Sequence, residues 1–423
     1  MATLRRSIGL RQGVALYVGA ILGPGLLVLP SVAAETAGPA SLIAWFSLIA
    51  LSLPMALTFA ALARAYPQAG GFAAYTEHAF GPLWGAVSGW LFFFCIPSGC
   101  VIVALIAGQY GAGAFGLGRD ALYLIGGGLV SAAYAVNLVG LRLSSRVQVL
   151  VTAGIVVLLA IAIAGAMPRV DTTAFTPFMP YGTAAIGLAA VQLFWAFAGW
   201  EAITPLAEEF HDPARDMWRA TLFAVVVVGV TYGTLAFATV GTRAYGDALQ
   251  GAPPLGVMAA ASFGIGAQQA VGIVGLFVAF GAVNAYIAGT SRLGYALGRA
   301  AQLPRWFSAL HTNWRSPHYS LAFLFAGFIL WLAASYVFGL TVADLLPIST
   351  SSYIATYVLS MAAGTRLLSG WGRAAAWVSL IACVVVLLFV GAFFAWIGGV
   401  TLACLAYQAY QAYQRRRGQQ VIE

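Results

Sequence analysis

The stretch Gly19-Ala20-Ile21-Leu22-Gly23-Pro24-Gly25 lies in the middle of an apolar run that covers residues 13–34. A run of this length is typical of a helix that spans a membrane. Pro24 cannot donate a backbone hydrogen bond, and the glycines on either side weaken a helix further. Because unpaired backbone groups are costly in lipid, such a break persists only where it is buried in protein or lines a cavity. The stretch therefore predicts a membrane helix that is interrupted near its centre.

The composition predicts that lipid is the solvent for most of the chain. Of the 423 residues, 61% are hydrophobic and only 8% are charged, whereas soluble domains carry about 25% charged residues. The net charge is +8, but the basic residues are spread between apolar runs, and the only dense cluster is Arg415-Arg416-Arg417. A basic cluster beside a membrane helix more often faces anionic lipid than nucleic acid. The four cysteines lack metal-site spacing, so neither a metal nor a cofactor is expected.

Apolar runs long enough to cross a bilayer recur along the chain and predict about twelve membrane helices of about 20 residues each. Ten of them cover residues 13–34, 40–62, 84–110, 121–141, 147–167, 183–206, 220–240, 269–297, 320–338 and 342–363, and residues 374–410 hold two more. Basic residues prefer the cytoplasmic side of a membrane. With a cytoplasmic N-terminus, 17 of the 20 arginines fall inside and only Arg119, Arg169 and Arg243 outside. Both termini are therefore predicted to be cytoplasmic.

A second interruption is predicted at Phe197-Ala198-Gly199-Trp200-Glu201, in the middle of helix 6. Interrupted helices at matching positions of two halves are typical of transporters built from inverted repeats, where the breaks hold the substrate. We therefore predict an all-α polytopic membrane protein with a 5+5 inverted repeat. The first repeat covers residues 1–168, the second covers residues 169–370, and residues 371–423 form two further helices and a cytoplasmic tail. A simple kink at glycine and proline is the alternative.

Glu201 is the one acid that falls inside a predicted span. A carboxylate in the bilayer is expensive, and it usually marks a functional site or a proton relay. We expect Glu201 to bind and release the proton of a coupled transport step. The alternative is a permanently protonated structural residue that is hydrogen-bonded to the unwound backbone of helix 1.

Three blocks of sequence resemble the amino acid–polyamine–organocation transporters. They are Tyr66-Pro67-Gln68-Ala69-Gly70-Gly71 with Tyr75 and Phe80-Gly81-Pro82, residues 194–202 continuing to residues 208–215, and residues 290–296 with Arg299 and Leu303-Pro304. Their order and spacing match that superfamily over nearly the whole chain. Within it, the chain is most similar to bacterial exporters of methionine and branched-chain amino acids. The resemblance implies a leucine-transporter-type fold in the inner (plasma) membrane of a bacterium, no enzymatic activity, and a monomer or homodimer.

The resemblance also implies that the two breaks bind the substrate. The residues concerned are Ala20, Ile21, Gly23, Pro24, Gly25, Trp195, Phe197, Ala198, Gly199, Trp200 and Asn284. Amides from Gly23 to Gly25 would face the substrate carboxylate, and carbonyls near Ala20, Ile21, Trp195 and Ala198 would receive its ammonium group. Phe197 and Trp200 would wall an apolar side-chain pocket. Trp195 matches an aromatic residue that closes over the substrate, and ordinary packing is its alternative. For Asn284, the alternative is a hydrogen bond between helices.

Two features concern the coupling ion. Thr290 and Ser291 match hydroxyls that complete a sodium site in relatives. Hydroxyl oxygens suit a hard cation. The alternative is that both side chains hydrogen-bond to the backbone of their own helix, as serine and threonine often do. Many family members carry a lysine in helix 5, but counting from Arg146-Val147-Gln148 places Ile155 there, and the chain has no lysine. Coupling is therefore expected to use protons at Glu201, with sodium or plain exchange as alternatives.

The predicted spans contain no second negative charge for a cationic side chain, and the expected site is otherwise apolar and aromatic. A neutral apolar amino acid such as methionine, leucine, isoleucine or valine is therefore the predicted substrate, and the resemblance implies export. An amino acid/polyamine antiporter or an importer of the same superfamily is the alternative. A channel or a membrane receptor is a more distant one, because two broken helices suit occlusion better than an open pore.

Overall fold

The computed structural model describes residues 9–66, 71–139, 145–201, 210, 212–246 and 253–420, and these form helices joined by short turns. The helices are α1 (Leu10–Ile21), α2 (Leu29–Ala37), α3 (Ser41–Ala65), α4 (Gly71–Phe80), α5 (Pro82–Ala114), α6 (Arg119–Val139), α7 (Ser145–Ala166), α8 (Gly182–Phe194), α9 (Pro213–Gly241), α10 (Pro254–Phe263), α11 (Ile265–Arg299), α12 (His318–Phe338), α13 (Val342–Leu367), α14 (Gly370–Leu387) and α15 (Phe394–Gln420). Within the described ranges, eight helices are long and apolar enough to cross a membrane. The predicted all-α polytopic membrane protein is confirmed.

The predicted interruption of helix 1 is present. This helix is divided into α1, a 3-10 turn over Pro24–Leu27, and α2. Helix 6 is also interrupted, since α8 ends at Phe194 and a 3-10 turn over Trp195–Phe197 follows it. The rest of predicted helix 6, from residue 202 onwards, lies outside the described residues. The division into two inverted repeats stays a prediction.

Two short helices lie where the sequence predicted only connections. The first, α4, is bounded by Gly71 and Gly81, whose φ angles of 51° and 94° suit glycine; Pro82 then begins α5. The second, α10, has ten residues and is too short to cross a bilayer that requires about 20. It packs between α11 and α7.

The helix α5 forms the centre of the bundle. In its most apolar stretch 89% of the residues are buried, against 11% in α15. The helices α6, α11 and α13 pack around α5. An apolar helix with few buried residues faces lipid, so α15 lies at the periphery.

The two ends of the bundle differ in their contacts. At one end, a small apolar cluster joins Leu62 of α3, Tyr75 of α4, Ala363 of α13 and Leu368; we call this the inner end, because the arginine pattern predicts that it faces the cytoplasm. At the opposite, outer end, Glu35 of α2 accepts a hydrogen bond from the amide of Gly246 at 2.9 Å. The orientation of the chain in the membrane stays a prediction.

Candidate functional site

The break in helix 1 consists of extended backbone at Gly23, with φ −87° and ψ −171°. The Gly23 amide donates to the carbonyl of Ile21 at 2.7 Å, and the Gly23 carbonyl accepts from the amide of Leu26 at 3.2 Å. Pro24 has no N–H group and begins the 3-10 turn. Of the atoms predicted to hold the substrate, the Gly23 amide and the Ile21 carbonyl therefore already bond to each other. For Ala20, only the backbone, near the end of α1, is described.

The break in helix 6 lies at Ala198 and Gly199. Ala198 is extended, with φ −71° and ψ 135°, and Gly199 has a φ of 134°, which only glycine adopts readily. The Gly199 amide thereby leaves the helical direction. It lies 2.9 Å from Oε2 of Glu201 and 3.2 Å from the hydroxyl of Tyr357.

Trp195 joins the two breaks on one side. A Cβ atom placed on Gly25 would lie 2.6 Å from Cζ3 of Trp195, closer than real Cβ contacts allow. The indole thus lies directly on the backbone of helix 1, and a glycine is required there. This position suits the predicted gate over the substrate, and it also suits ordinary packing, so the role of Trp195 stays a prediction.

Tyr232 of α9 joins the two breaks on the other side. Its hydroxyl lies 2.7 Å from the carbonyl oxygen of Ile21 and 2.9 Å from that of Ala196. One hydroxyl has one proton, so it can donate to only one of the two carbonyls at a time. Its ring packs edge-on against Trp45 and Phe197, with centroids 5.2 Å and 5.1 Å away. Tyr232 was not among the predicted site residues, although a tyrosine inside an apolar span needs a partner for its hydroxyl.

Glu201 is held by two donors. Among the charged residues that the structure describes, it alone is buried, with 7% of its surface exposed. The hydroxyl of Tyr357 in α13 donates to its Oε2 atom, to which the Gly199 amide also donates. These two donors come from its own break and from α13. Whether the carboxyl group exchanges a proton or is a permanently protonated structural residue stays a prediction. A narrow space adjoins it, lined by Phe59, Phe72, Phe92, Tyr353, Thr356, Tyr357 and Ser360.

Phe197 and Trp200, predicted to wall a side-chain pocket, are fully buried. Phe197 packs against Trp45, with ring centroids 5.9 Å apart, and Trp200 packs against Tyr17 at the same distance. Within the described part of the chain, the indole N–H of Trp200 has no hydrogen-bond partner. In this conformation both rings belong to the core beside the break.

The remaining predicted site residues lie on α11. Asn284 accepts a hydrogen bond from Asn137 of α6 at 2.8 Å, which is the contact between helices that was its alternative. Ser291 donates to the carbonyl of Ala288 in its own helix at 3.0 Å. The hydroxyl of Thr290 is buried and has no partner among the described residues. The roles of these three residues in binding substrate or a cation stay predictions.

Ile155, at the position of the family's lysine, is buried in α7. An apolar side chain therefore occupies the position where the resemblance implies a lysine in many family members.

A cavity of about 230 Å³ opens at the outer end. It is lined by Val28, Ser31, Val32, Glu35, Gln109, Gly246, Pro254, Thr341, Val342 and Ala343. Val28 follows directly on the 3-10 turn of helix 1, and Ser31 lies in the first turn of α2. The cavity therefore leads from the outer end towards the helix 1 break.

A bundle of membrane helices with two interrupted helices tied together, and with one buried carboxyl group among the described residues, is an arrangement typical of transporters. The chain belongs to the amino acid permease family, whose model matches residues 8–409. It is 38% identical over 392 residues to an uncharacterized amino acid permease of Bacillus subtilis, covering 92% of each chain. It is 32% identical over 396 residues to the L-methionine/branched-chain amino acid exporter of Escherichia coli, covering 92% of this chain and 93% of the relative.

A branched-chain amino acid permease of Bacillus subtilis is 26% identical over 343 residues, which cover 75% of this chain and 72% of the relative. The predicted membership of the amino acid–polyamine–organocation superfamily is confirmed. The protein is therefore an amino acid transporter embedded in a membrane, and it is not an enzyme.

Proposed function

We propose that the protein exports neutral apolar amino acids, namely methionine, leucine, isoleucine and valine, in exchange for protons that bind at Glu201. The observation that carries the proposal is the composition of the centre. Beside two backbone breaks and many aromatic rings, the described residues include one buried carboxyl group, and Tyr357 and Gly199 already bind it.

The composition of the site favours a neutral side chain. Burying a cationic side chain is costly unless a negative charge pairs with it, and the described core offers only Glu201 for that purpose. Apolar residues and rings around the breaks, such as Phe197 and Trp195, suit an aliphatic or thioether side chain. The similarity to the exporter of methionine and branched-chain amino acids points to the same substrates and to export.

Coupling would arise because Glu201 and the substrate adjoin the same break. The Oε2 atom of Glu201 accepts hydrogen bonds from the Gly199 amide and the Tyr357 hydroxyl. A proton on that oxygen would make it a donor instead, and would thereby alter the backbone around residue 199. Protons that enter through one conformation and leave through the other would drive the amino acid in the opposite direction. Thr290 and Ser291 would serve instead if sodium were the coupling ion.

The proposal places the protein in the inner membrane of a bacterium, with both termini in the cytoplasm, as a monomer or a homodimer. The arginine distribution supports this orientation. The Arg415-Arg416-Arg417 cluster would then face the anionic inner leaflet.

Purified protein in proteoliposomes tests the proposal. We expect labelled leucine and methionine to move, and an imposed proton gradient, but not a sodium gradient, to drive their accumulation. Transport that follows a sodium gradient would overturn the role of Glu201. If putrescine or arginine displaced the labelled amino acid from the protein, and unlabelled leucine did not, the protein would instead be an amino acid/polyamine antiporter.

A further inference from the structure

We propose that Phe210 is a positioning residue of the transport cycle, whose ring holds α1 against α9 at Gly13 and so keeps the inner end of the bundle closed. This inference rests on the proposed function, because it assumes that the protein works by alternating access. It concerns α1, which is the half of helix 1 that precedes the break.

The contact at Gly13 is closer than any other residue would permit. A Cβ atom on Gly13 would lie 2.8 Å from Cε1 of Phe210 and 3.1 Å from Cβ of Ala220 in α9. Carbon atoms in contact are normally about 3.5–4.0 Å apart. Both Gly13 and Phe210 are buried. Because Gly13 has no side chain, the Phe210 ring packs directly against the backbone of α1.

A second contact continues the same face of α1 towards the substrate site. Tyr17 lies one turn further along α1 and is fully buried. Its ring packs against Trp200, with centroids 5.9 Å apart. Because Trp200 adjoins Glu201 and the helix 6 break, displacement of α1 would remove a packing partner from that break.

The break at Gly23 lets α1 move separately from α2. The outer half α2 is tied to α8 by a hydrogen bond of 2.9 Å from the hydroxyl of Thr36 to Oε1 of Gln192. By contrast, α1 packs mainly against α9, with a smaller contact to α7. The outer half α2 thus packs mainly against α8 and more weakly against α9, whereas α1 packs mainly against α9. Extended backbone at Gly23 joins the two halves.

The cavity and the contact between α1 and α9 lie at opposite ends of the bundle. The outer end holds the open cavity of about 230 Å³, whereas at the inner end α1 lies against α9. Opening the inner end requires α1 to leave α9, and the Phe210–Gly13 contact opposes that movement. Weakening the contact should therefore shift the population towards the conformation that is open at the inner end.

Labelling of a cysteine on α1 tests this inference without any substrate. Val14 is partly buried beside Gly13, and Val14→Cys would be exposed to a membrane-impermeant maleimide, added from the inner side, when α1 moves away. The four natural cysteines are buried, which keeps the background low. We expect Gly13→Ala and Phe210→Ala each to raise the labelling rate by about tenfold or more if the closed population falls from nearly all to about a third, because the open population that is labelled then rises from about 5% to about two thirds.

Two further variants distinguish loss of the Phe210–Gly13 contact from a general loss of stability. Gly13→Ala combined with Phe210→Leu should restore slow labelling, because the smaller side chain leaves room for the added methyl group. Gly128→Ala in α6 is the matched control, since a Cβ there meets nothing within 4 Å, and it should not alter labelling.

Transport supplies an independent readout. In oriented proteoliposomes, Gly13→Ala should raise the KM for substrate offered at the outer end by about threefold and lower it at the inner end, because the binding-competent populations change in opposite directions. Equal labelling rates of the parent and both single variants would overturn the proposed role of the Phe210–Gly13 contact. A faster labelling rate that the double variant does not reverse would overturn it as well. If Phe210→Ala did not accumulate, Phe210→Leu alone would be used, with faster labelling expected. Because the labelling experiment uses no substrate, it tests the Phe210–Gly13 contact even if the proposed substrates or the proposed proton coupling are wrong.

Discussion

Gly25 and Trp195 lie so close together that a Cβ on the glycine would be 2.6 Å from Cζ3 of the indole. The first residue belongs to the turn after the helix 1 break, and the second belongs to the turn before the helix 6 break. The two interruptions are thus packed on each other, and the packing depends on the absence of a side chain. At Gly23, by contrast, a Cβ would meet only the carbonyl oxygen of Ile21, at 3.9 Å.

The two glycines should therefore respond differently to substitution. Gly25→Ala forces Trp195 away, and overpacking of this kind costs about 1–3 kcal/mol, so we expect a lower melting temperature in detergent together with weaker substrate binding. Gly23→Val should leave the melting temperature nearly unchanged but weaken binding, because its side chain would enter the space beside the break. Thermal unfolding and equilibrium binding of labelled leucine measure both effects. Equal melting temperatures for the parent and Gly25→Ala would contradict the close contact with Trp195.

Replacement of Glu201 by glutamine should abolish the response to protons. The amide keeps the size of the side chain but cannot exchange a proton, so efflux of labelled leucine should run at the same rate with and without a pH gradient. Tyr357→Phe removes one donor to Oε2 but keeps the carboxyl group; it should slow transport and retain the response. Efflux from proteoliposomes over a range of pH gradients tests both variants. A full response in Glu201→Gln would exclude this residue as the coupling group.

Tyr232→Phe should uncouple the two breaks at a small cost in stability. The Ile21 carbonyl keeps its bond from the Gly23 amide, so mainly one hydrogen bond is lost, which is worth about 1 kcal/mol or less in a membrane. We expect a small drop in melting temperature and a larger loss of transport rate. Tyr319→Phe, on an exposed residue of α12, is the control. If both variants transported like the parent, Tyr232 would have no role in the cycle.

Gly187→Ala should disturb the attachment of α8 to the two C-terminal helices. A Cβ at Gly187 would lie 2.1 Å from Cδ1 of Phe389, which is in the turn between α14 and α15. Overpacking at this position should cost about 3 kcal/mol, at the upper end of the usual range, and lower the melting temperature. Phe389→Leu in the same chain should recover part of the loss, and a double-mutant cycle measures the coupling. Independent, additive effects would argue against direct packing of these residues.

The sequence was sufficient to predict the class of fold and the place of both breaks. Hydropathy depends on composition alone, and the chemistry that unwinds helix 1 is local, since Pro24 lacks an N–H group whatever surrounds it. Glu201 was also predictable, because a lone acid inside an apolar run needs no neighbour to be noticed. The helices α4 and α10 were missed because each is too short for a hydropathy window that looks for a membrane span.

The partners of these features were beyond the reach of the sequence. The hydroxyl of Tyr232 bonds to a carbonyl 211 residues away in the chain, and Tyr357 reaches Glu201 across 156 residues. Asn284 was predicted to face the cavity or to bond between helices, and only the position of Asn137 on α6 distinguishes these two geometries. A helix that is apolar on all sides has no hydrophobic periodicity, so its sequence does not predict which face packs against the other helices.

What the sequence determined by itself is a membrane protein with breaks in helices 1 and 6 and a carboxyl group beside the second, because backbone chemistry and hydropathy act locally. Only the tertiary structure decided that the breaks touch through Gly25 and Trp195, that Tyr232 joins their carbonyls, and that Phe210 occupies the space left by Gly13. The physical reason is that close packing and directional hydrogen bonds depend on ångström distances between residues that are far apart in the chain.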